Sequence, residues 1–480
     1  MNEMSRLVPQ EILDCIKRIE KAGFEAFLVG GCVRDLLLGK TPGDWDMASN
    51  ATPDKLVEIF GDDAVYENSF GTVSLKSFPI EITTYRKEGT YSDKRHPDSI
   101  SFAKELKDDL GRRDFTINAL ALDADGKVID LFNGQADLKL GIIRAVNDPQ
   151  IRFDEDALRM LRAIRFASQL SFVIEPKTAA AIMSLKDNLS HVAKERIRDE
   201  FEKIIMSDRA SDGVEMLVNA GLMKYIIPEV LEGVNCGQNK HHIYTVFKHC
   251  NEALRYSTNQ KYSLEVRLAS LLHDVGKPRT KRGDGIDSTF HGHEVIGARI
   301  ASKRLRELAF SSKVLDKVVH LIRYHMFYYN VGEITDAGVR RFVKRVGAEN
   351  IDDLIRLREA DRIGSGVEKA VPYKLRHLLF MIEKVKQDPI EPKMLKLRGD
   401  ELMNLLKLEA SPRVGLILHA LMEEVLDDPA KNDFEYLKTK ALELNKLDEK
   451  ELLKFKEKAL LRADELEAEA ESQIKRKFKV

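Results

Sequence analysis

The sequence contains no long apolar run. Charged residues interrupt every stretch before the roughly twenty apolar residues that a bilayer-crossing helix needs, so no membrane association is expected. The first helix-like segment sets Ile12, Ile16 and Ile19 against Glu11, Asp14 and Glu20, an acidic amphipathic pattern unlike a secretory signal. Cysteine is scarce: Cys15, Cys32, Cys236 and Cys250 are the only four, without CxxC spacing. That excludes a disulfide framework and a cysteine zinc site, and points to a reducing cytoplasm. An excess of one charge is also missing, since the net charge is −1. A partner rich in phosphate would therefore have to be met by locally concentrated Arg and Lys. Short internal repeats and low-complexity linkers are absent too. What remains, 43% apolar and 32% charged over 480 residues, is a globular composition long enough for about three domains.

Periodicity divides the chain. Up to about residue 145 the pattern is mixed. A helix over about 9–22 leads into Phe27-Leu28-Val29, and alternating β-branched runs follow at Val73–Leu75 and Ile80–Tyr85. Ala119–Leu122 and Lys127–Ile129 flank Asp125-Gly126, which reads as a hairpin. From about 150 the period becomes 3.6, and no convincing strand follows Val173. The expected architecture is α+β: a small mixed-sheet head, then an all-helical remainder.

Three features of the head belong together. Leu28-Val29-Gly30-Gly31-Cys32-Val33-Arg34-Asp35 reads as strand, two glycines, helix. Glycines let the backbone approach a phosphate at a helix start, and Arg34 in the first turn can grip the same anion through two parallel N–H bonds. Asp44 and Asp46 stand at i and i+2, on one face if the segment is a strand. Like charges so placed repel unless a cation sits between them, and Mg²⁺ takes carboxylate and phosphate oxygens. Two such ions about 3.5–4 Å apart suit in-line displacement at phosphorus. Glu81, in the strand Pro79–Tyr85, is either a third metal-side carboxylate or an exposed strand residue.

Residues 154–167 read as one helix, its buried stripe formed by Ala157, Met160, Leu161 and Ile164. Arg159 and Arg162 point away from that stripe, with Asp156 and Arg165 at its margins. One reading is a basic helix that binds RNA phosphate. The sharper reading is chemical. Cytosine and adenine both present an amine donor beside a ring-nitrogen acceptor, whereas uracil and guanine present a carbonyl beside an N–H. A carboxylate next to a guanidinium complements the first pair and repels the second. Asp156 with Arg159 would thus select CTP and ATP without a nucleic-acid template.

Taken in order, these motifs resemble those of the DNA polymerase beta-type nucleotidyltransferases, and within them the class II bacterial tRNA nucleotidyltransferase (CCA-adding)/poly(A) polymerase family. The resemblance runs through Gly30–Asp35, Asp44-Trp45-Asp46, Arg112-Arg113-Asp114-Phe115-Thr116-Ile117-Asn118-Ala119 and Asp130-Leu131-Phe132-Asn133-Gly134. It continues with Asp137-Leu138, Glu155-Asp156-Ala157-Leu158-Arg159, Glu195-Arg196-Ile197 and Glu200. It implies Mg²⁺ on Asp44 and Asp46, and triphosphate contacts from Gly31, Arg34 and Arg113. It also implies base or nucleotide contacts from Asp156, Arg159, Arg162 and Arg165. Residues 86–97 look like the family's mobile loop, which is needed to switch from adding C to adding A.

Eight of the twelve histidines fall between 241 and 325: His241, His242, His249, His273, His291, His293, His320 and His325. His273-Asp274 behind an apolar helix resembles the HD phosphohydrolase domain, with His249 as the earlier histidine and Asp361 as the later aspartate. His242 is the competing first ligand, and His242, His293 and His325 are candidates for a second metal position. Imidazole with carboxylate suits Ni, Mn or Fe. The domain would be either a hydrolase of RNA phosphate ends or a helical scaffold. Segments around Arg398–Leu402, Pro412–Gly415 and Leu426–Asn432 resemble a tRNA-binding tail.

The expected division is therefore a head at 1–145, a neck at 146–235, an HD domain at 236–370 and a helical tRNA-binding arm at 371–480. The expected activity is addition of CCA to tRNA 3′ ends from CTP and ATP with release of pyrophosphate. An A-adding enzyme, a poly(A) polymerase and an HD phosphohydrolase acting on RNA ends are the alternatives.

Overall fold

The computed structural model describes residues 4–66, 71–88, 100–239, 243–283, 285–367, 369–386 and 392–480. It divides into two compact units. The first comprises residues 1–326 and 352–370, the second 327–351 and 371–480.

The first unit begins with the head. Its elements are α1 (Gln10–Lys21), β1 (Ala26–Val29), α2 (Gly31–Leu37), β2 (Trp45–Ser49), α3 (Pro53–Phe60), β3 (Ala64–Tyr66), β4 (Thr72–Leu75) and β5 (Ile80–Thr84). Then come β6 (Arg86–Glu88), β7 (Ile100–Phe102), α4 (Leu106–Gly111), β8 (Leu120–Leu122), β9 (Val128–Asp130) and α5 (Gly134–Leu140). Seven strands make one mixed sheet in the order β3-β4-β5-β2-β1-β8-β9, while β6 and β7 pair by themselves. The contact of β2 with β5 is parallel, and the other pairings in that sheet are antiparallel. Alternation along the strands gives the sheet two apolar faces. Leu28, Met47, Ile80 and Ile82 pack with Ile12, Ile16, Ile19, Val33 and Leu56. Val29, Ala48, Tyr85 and Ala121 pack on the other side with Leu110 and Val146. The hairpin expected at Asp125-Gly126 is β8–β9, with Gly126 at φ 82°. Of the loop read at 86–97, Arg86–Glu88 form β6, and 89–97 lie outside the described residues.

A short parallel pair, β10 (Ile142–Ile143) with β11 (Val173–Ile174), stitches the head to the neck. The neck helices are α6 (Pro149–Glu155), α7 (Leu158–Leu170), α8 (Pro176–Leu185), α9 (Lys194–Ile205) and α10 (Ala210–Asn219). The single helix expected over 154–167 is two. Asp148 caps α6, whose first residue is Pro149. Asp156 then leaves the helical region at φ −138° and accepts a hydrogen bond from the Leu158 N–H at 3.1 Å, so that its side chain restarts the helix as α7. The stripe holds: Ala157, Met160, Leu161 and Ile164 are all buried.

Beyond β11, the described residues form helices and loops, apart from one isolated bridge between Arg282 and Thr289. The rest of the first unit is α11 (Glu229–Glu232), α12 (Val246–Asn259), α13 (Leu264–Leu272), α14 (Lys277–Thr280), α15 (His293–Glu307) and α16 (Ser312–Tyr324). It closes with α18 (Ile351–Gly364), all but its first residue, which follows α17 (Asp336–Val346) of the second unit. Thr245, Ser263 and Ser311 cap α12, α13 and α16. The second unit adds α19 (Tyr373–Lys386), α20 (Gly399–Leu406), α21 (Pro412–Asp427), α22 (Phe434–Leu444) and α23 (Glu449–Phe478). Its core joins Leu402, Ile417, Leu421, Leu437, Leu444 and Leu452. No helix among the described residues is long and apolar enough to cross a membrane. All four cysteines are free and buried.

Candidate nucleotidyl-transfer and metal centres

The β1–α2 turn and the start of β2 form the first centre. Gly30 sits at φ +80°, and a Cβ there would come within 2.6 Å of the Arg113 Nη1 and 3.6 Å of the Asp46 Oδ2. The guanidinium could shift, but the positive φ there favours glycine. Arg113 lies across the turn beside Asp46. Asp44 is exposed just before β2, and Asp46 is half-buried within it. The parallel register sets Asp46 opposite Glu81 of β5, whose side chain is exposed. Burial raises the Asp46 carboxyl above its usual range; Arg113 pulls it down, while Asp44 and Glu81 push it up. Three carboxylates thus gather at one edge of the head, near the start of the central strands β2 and β5, the condition a hard divalent cation relieves. They do not draw within 4.8 Å of one another; the groups among the described residues that do belong to the histidine cluster.

Arginines surround this edge, each held by an acid. Asp109 takes Arg112 at 2.7 Å and Arg113 at 3.3 Å, one helical turn away on the same side. Burial alone would raise the Asp109 carboxyl, but those two guanidiniums hold it below its ordinary value. Arg34 pairs with Asp35 at 2.8 Å and donates to the Asn118 Oδ1 at 2.8 Å. The Asn118 amide donates in turn to Asp114 at 3.0 Å, which also receives Arg162 at 2.6 Å. The chain Arg34–Asn118–Asp114–Arg162 links the β1–α2 turn to α7. Around it, Phe166 carries Arg34, Arg162 and Arg165 on its ring at 5.1, 5.5 and 4.2 Å. Arg165 is buried and paired with Glu200 at 3.2 Å.

Asp156 and Arg159 are adjacent on the fold but bound elsewhere. Asp156 meets Arg196 at 2.8 Å. Arg159 meets Glu155 at 2.6 Å and donates to the carbonyls of Arg152 and Arg112, each at 3.0 Å. Gly31, Arg34, Arg113, Asp44 and Asp46 share the head edge, and Asp156, Arg159, Arg162 and Arg165 share the facing neck. Sequence reading passed over Asp109, Phe166 and the role of Asp114. The i, i+3 and i+4 spacing of Asp109 to Arg112 and Arg113 was the available signal.

Asp114 gives a measurable handle. Burial works to raise its carboxyl, yet Arg162 and Asn118 bring it down to about 2, against an ordinary 3.8. A carboxyl depressed in the folded state adds stability above its unfolded pKa, and that stability is lost as pH falls from near 4 toward 2. The shift corresponds to about 2 kcal/mol. Chemical denaturation from pH 5 to pH 2.5 should show Asp114→Asn losing less stability on acidification than the parent, by about that amount. Equal acid sensitivity would remove Asp114 as the keystone between head and neck.

The second centre is assembled from five segments. His249 comes from α12, His273-Asp274 from the end of α13, His293 from the start of α15, His325 from the end of α16, and Asp361 from α18. All are buried. The His249 Nε2 stands 2.9 Å from the His273 Nε2, 3.2 Å from Asp274 and 3.3 Å from Asp361. His273 lies 3.4 Å from Asp274 and 3.6 Å from Asp361. The other oxygen of Asp274 faces the Nε2 atoms of His293 at 3.2 Å and His325 at 3.7 Å. Asp274 therefore bridges two triplets, His249–His273–Asp274 and Asp274–His293–His325. The Nδ1 atoms of His273, His293 and His325 donate to the carbonyls of Ser270, Phe290 and Ile322. This turns each Nε2 lone pair toward the carboxylates, an arrangement that calls for a cation between them. Gly276 lets α15 dock, since a Cβ there would strike the His293 carbonyl at 2.3 Å. His242 lies outside the described residues; among those described, His249 is the earlier histidine grouped with His273 and Asp274.

A cavity of about 600 Å³ opens on this cluster, lined among others by Lys277, His291, Arg358 and Arg362. Lys277 reaches Asp274 at 2.5 Å, and Arg358 reaches Asp361 at 2.6 Å. Burial would raise both aspartates, but Lys277 and His273 for Asp274, and His249 and His273 for Asp361, hold them well below the usual carboxylate range. No role was read from sequence for Arg358, Arg362 or Lys277, because Arg358 and Lys277 sit one turn from their aspartates and Arg362 directly beside Asp361, inside an ordinary charged pattern.

Residues 26–144 match the poly A polymerase head domain. Residues 171–233 match the family described as probable RNA and SrmB-binding site of polymerase A, and 240–365 match the HD domain. The chain is 47% identical over 224 residues to a CCA-adding enzyme of Leuconostoc mesenteroides, covering 46% of this chain and 56% of that one. It is 49% identical over 212 residues to the CCA-adding enzyme of Levilactobacillus brevis, covering 44% and 53%. The alignments thus span little more than half the length of these relatives. The fold is similar to the Bacillus stearothermophilus CCA-adding enzyme in complex with CTP, with TM-score 0.57, 26% identity and coverage of 93% of this chain and 98% of that one. A Thermotoga maritima CCA-adding enzyme complexed with tRNA shares the fold at TM-score 0.53 and 21% identity, covering 92% and 98%. The head of this chain is thus similar to poly A polymerase head domains, and the segments behind it are similar to the probable RNA and SrmB-binding site of polymerase A and to HD domains.

Proposed function

We propose that this chain adds C, C and A to the 3′ end of tRNA from CTP and ATP. The tRNA 3′-hydroxyl forms a bond to the α-phosphorus, and pyrophosphate leaves. One observation carries the reading: Arg113 lies beside the carboxylates of Asp46, Asp44 and Glu81, and the chain Arg34–Asn118–Asp114–Arg162 ties the adjoining β1–α2 turn to α7, which bears Arg159 and starts two residues after Asp156. Asp44 and Asp46 would hold Mg²⁺, which when bound neutralises charge on the reacting phosphates. Arg34 and Arg113 orient the triphosphate beside Gly31. The Glu155 carboxylate and the Arg112 carbonyl aim the Arg159 guanidinium, Arg196 aims Asp156, and Phe166 keeps Arg162 and Arg165 in register. Positioning and charge complementarity do the work. The four-part division at residues 145, 235 and 370 goes with this reading, as does a cytoplasmic location.

The test offers a tRNA transcript lacking its last three bases, with CTP, ATP, UTP and GTP supplied singly and together, and sequences the products. CTP with ATP should yield CCA and stop. UTP and GTP should enter about 10- to 100-fold more slowly or worse, since each mispaired polar group costs about 1–3 kcal/mol. UTP incorporation near the CTP rate would sink the amino-acid template. A long A tail would favour the poly(A) alternative.

A second reading is favoured by the intact histidine cluster: hydrolysis of phosphate ends on RNA by the HD centre. His249, His273, Asp274 and Asp361 would hold one divalent transition metal, with Ni, Mn and Fe suited to the donors, and Asp274, His293 and His325 a second. Bound metal would supply an acidified water at neutral pH. Lys277 and Arg358 fix the two aspartates, and Arg362 lines the approach.

A further inference from the structure

Outside both centres, α15 and α16 enclose a shallow groove of about 680 Å³, and its charge is one-sided. Arg299, Lys303 and Arg306 stand on one face of α15 at i, i+4 and i+7, and Arg323 faces them from α16; all four are exposed. Glu307 is the one acid in the lining, and it pairs loosely with Lys303 at 4.0 Å. Arg299 and Arg306 pair with no carboxylate among the described residues. Val295, Ala298 and Val319 give the floor its apolar part.

Location narrows the occupant. The helix that carries this face is stapled to the matched RNA-binding segment from two sides: Arg304 grips Glu229 at 2.9 Å, and Arg198 donates to the Ala309 carbonyl at 2.5 Å. At the other end, Arg323 meets Glu294 at 3.5 Å, one residue from His293 and two from His325. The groove thus runs from the RNA-binding segment to the helix ends that hold the histidine cluster.

We propose that this α15–α16 groove is a second RNA track, in which Arg299, Lys303, Arg306 and Arg323 take successive phosphates of the tRNA backbone. It carries no sequence preference, because its donors are cations on a helix face and nothing in it is shaped to read a base. Taking the polyanion to be tRNA rests on the function proposed above; the charge pattern itself does not.

The experiment measures binding of the full chain to a tRNA transcript lacking CCA, by fluorescence anisotropy from 50 to 300 mM KCl. It compares the parent with an Arg299→Glu/Arg306→Glu double variant and with Arg299→Gln/Arg306→Gln. Each phosphate contact adds about 0.7–0.9 to the slope of log K against log salt, so the neutral pair should flatten that slope by about 1.5. The glutamate pair should weaken binding about tenfold or more at 100 mM salt. Unchanged affinity and slope in both variants, with thermal melts matching the parent, would overturn the proposal. So would losses confined to binding of phosphatidylglycerol vesicles. Should the parent bind tRNA but never extend it, the polymerase reading fails while these binding curves still judge the groove.

Discussion

Asp46→Asn should cut CTP incorporation into a tRNA lacking its 3′ end by on the order of 10³-fold, about 4 kcal/mol of transition-state stabilisation. The substitution keeps volume but turns one acceptor oxygen into an NH2 donor and removes one of the three negative charges gathered at β2 and β5. In the folded chain that edge is electrostatically uncomfortable, since Asp44 and Glu81 both raise the Asp46 carboxyl. Losing the charge should therefore leave the fold intact or slightly steadier. Activity and stability should part company, the signature of a group placed for chemistry. A variant that loses activity only in step with its melting temperature would mean that Asp46 is structural. Glu81→Gln sorts the remaining carboxylate: as a third metal-side group it should cost activity too, and as an exposed strand residue it should cost almost nothing.

Much of this was legible before any coordinates, for reasons that differ by element. Alternation at Ile80–Thr84 and 3.6-residue spacing at Ala157, Met160, Leu161 and Ile164 are imposed by burial, and burial is local in sequence. Gly30 was legible only in company: a strand, two glycines and a helix also make an ordinary turn, and Asp44-Trp45-Asp46 close behind gave the reading its weight. The arginine partners were not. Arg34 finds Asn118 across 84 positions, and Arg162 finds Asp114 across 48; nothing in local spacing encodes such pairs. The break at Asp156 was missed because its neighbours keep helical periodicity straight through it. Only the side chain's ability to bond the Leu158 N–H reveals a new helix start. For the histidine cluster, composition gave the region and the structure gave the bridge, since Asp274 joins both triplets only when α13, α15 and α16 pack together.

That bridge makes Asp274 the second site where one atom group should matter greatly. Asp274→Asn replaces the single carboxylate shared by His249, His273, His293 and His325, and it strips Lys277 of its buried counter-ion. Removing one partner of a buried ion pair costs about 3–5 kcal/mol, so the variant should melt lower even without metal. The sharper readout is linkage. A ligand at a hundred times its dissociation constant stabilises the folded state by about 2.7 kcal/mol. EDTA-stripped parent should therefore gain roughly 3–4 °C on addition of Mn²⁺ or Ni²⁺, and the variant should gain almost nothing. Hydrolysis of a 3′-phosphorylated oligonucleotide, if the centre is active, should fall with the same substitution, while CTP incorporation measured below the variant's melting range stays within about twofold. Because the proposed nucleotidyl-transfer site draws on β1, β2 and β5 and the histidines on α12 to α18, one substitution should silence one chemistry only. An equal metal-induced shift in parent and variant would show that the four imidazoles need no carboxylate bridge, and the dinuclear reading of this cluster would fall with it.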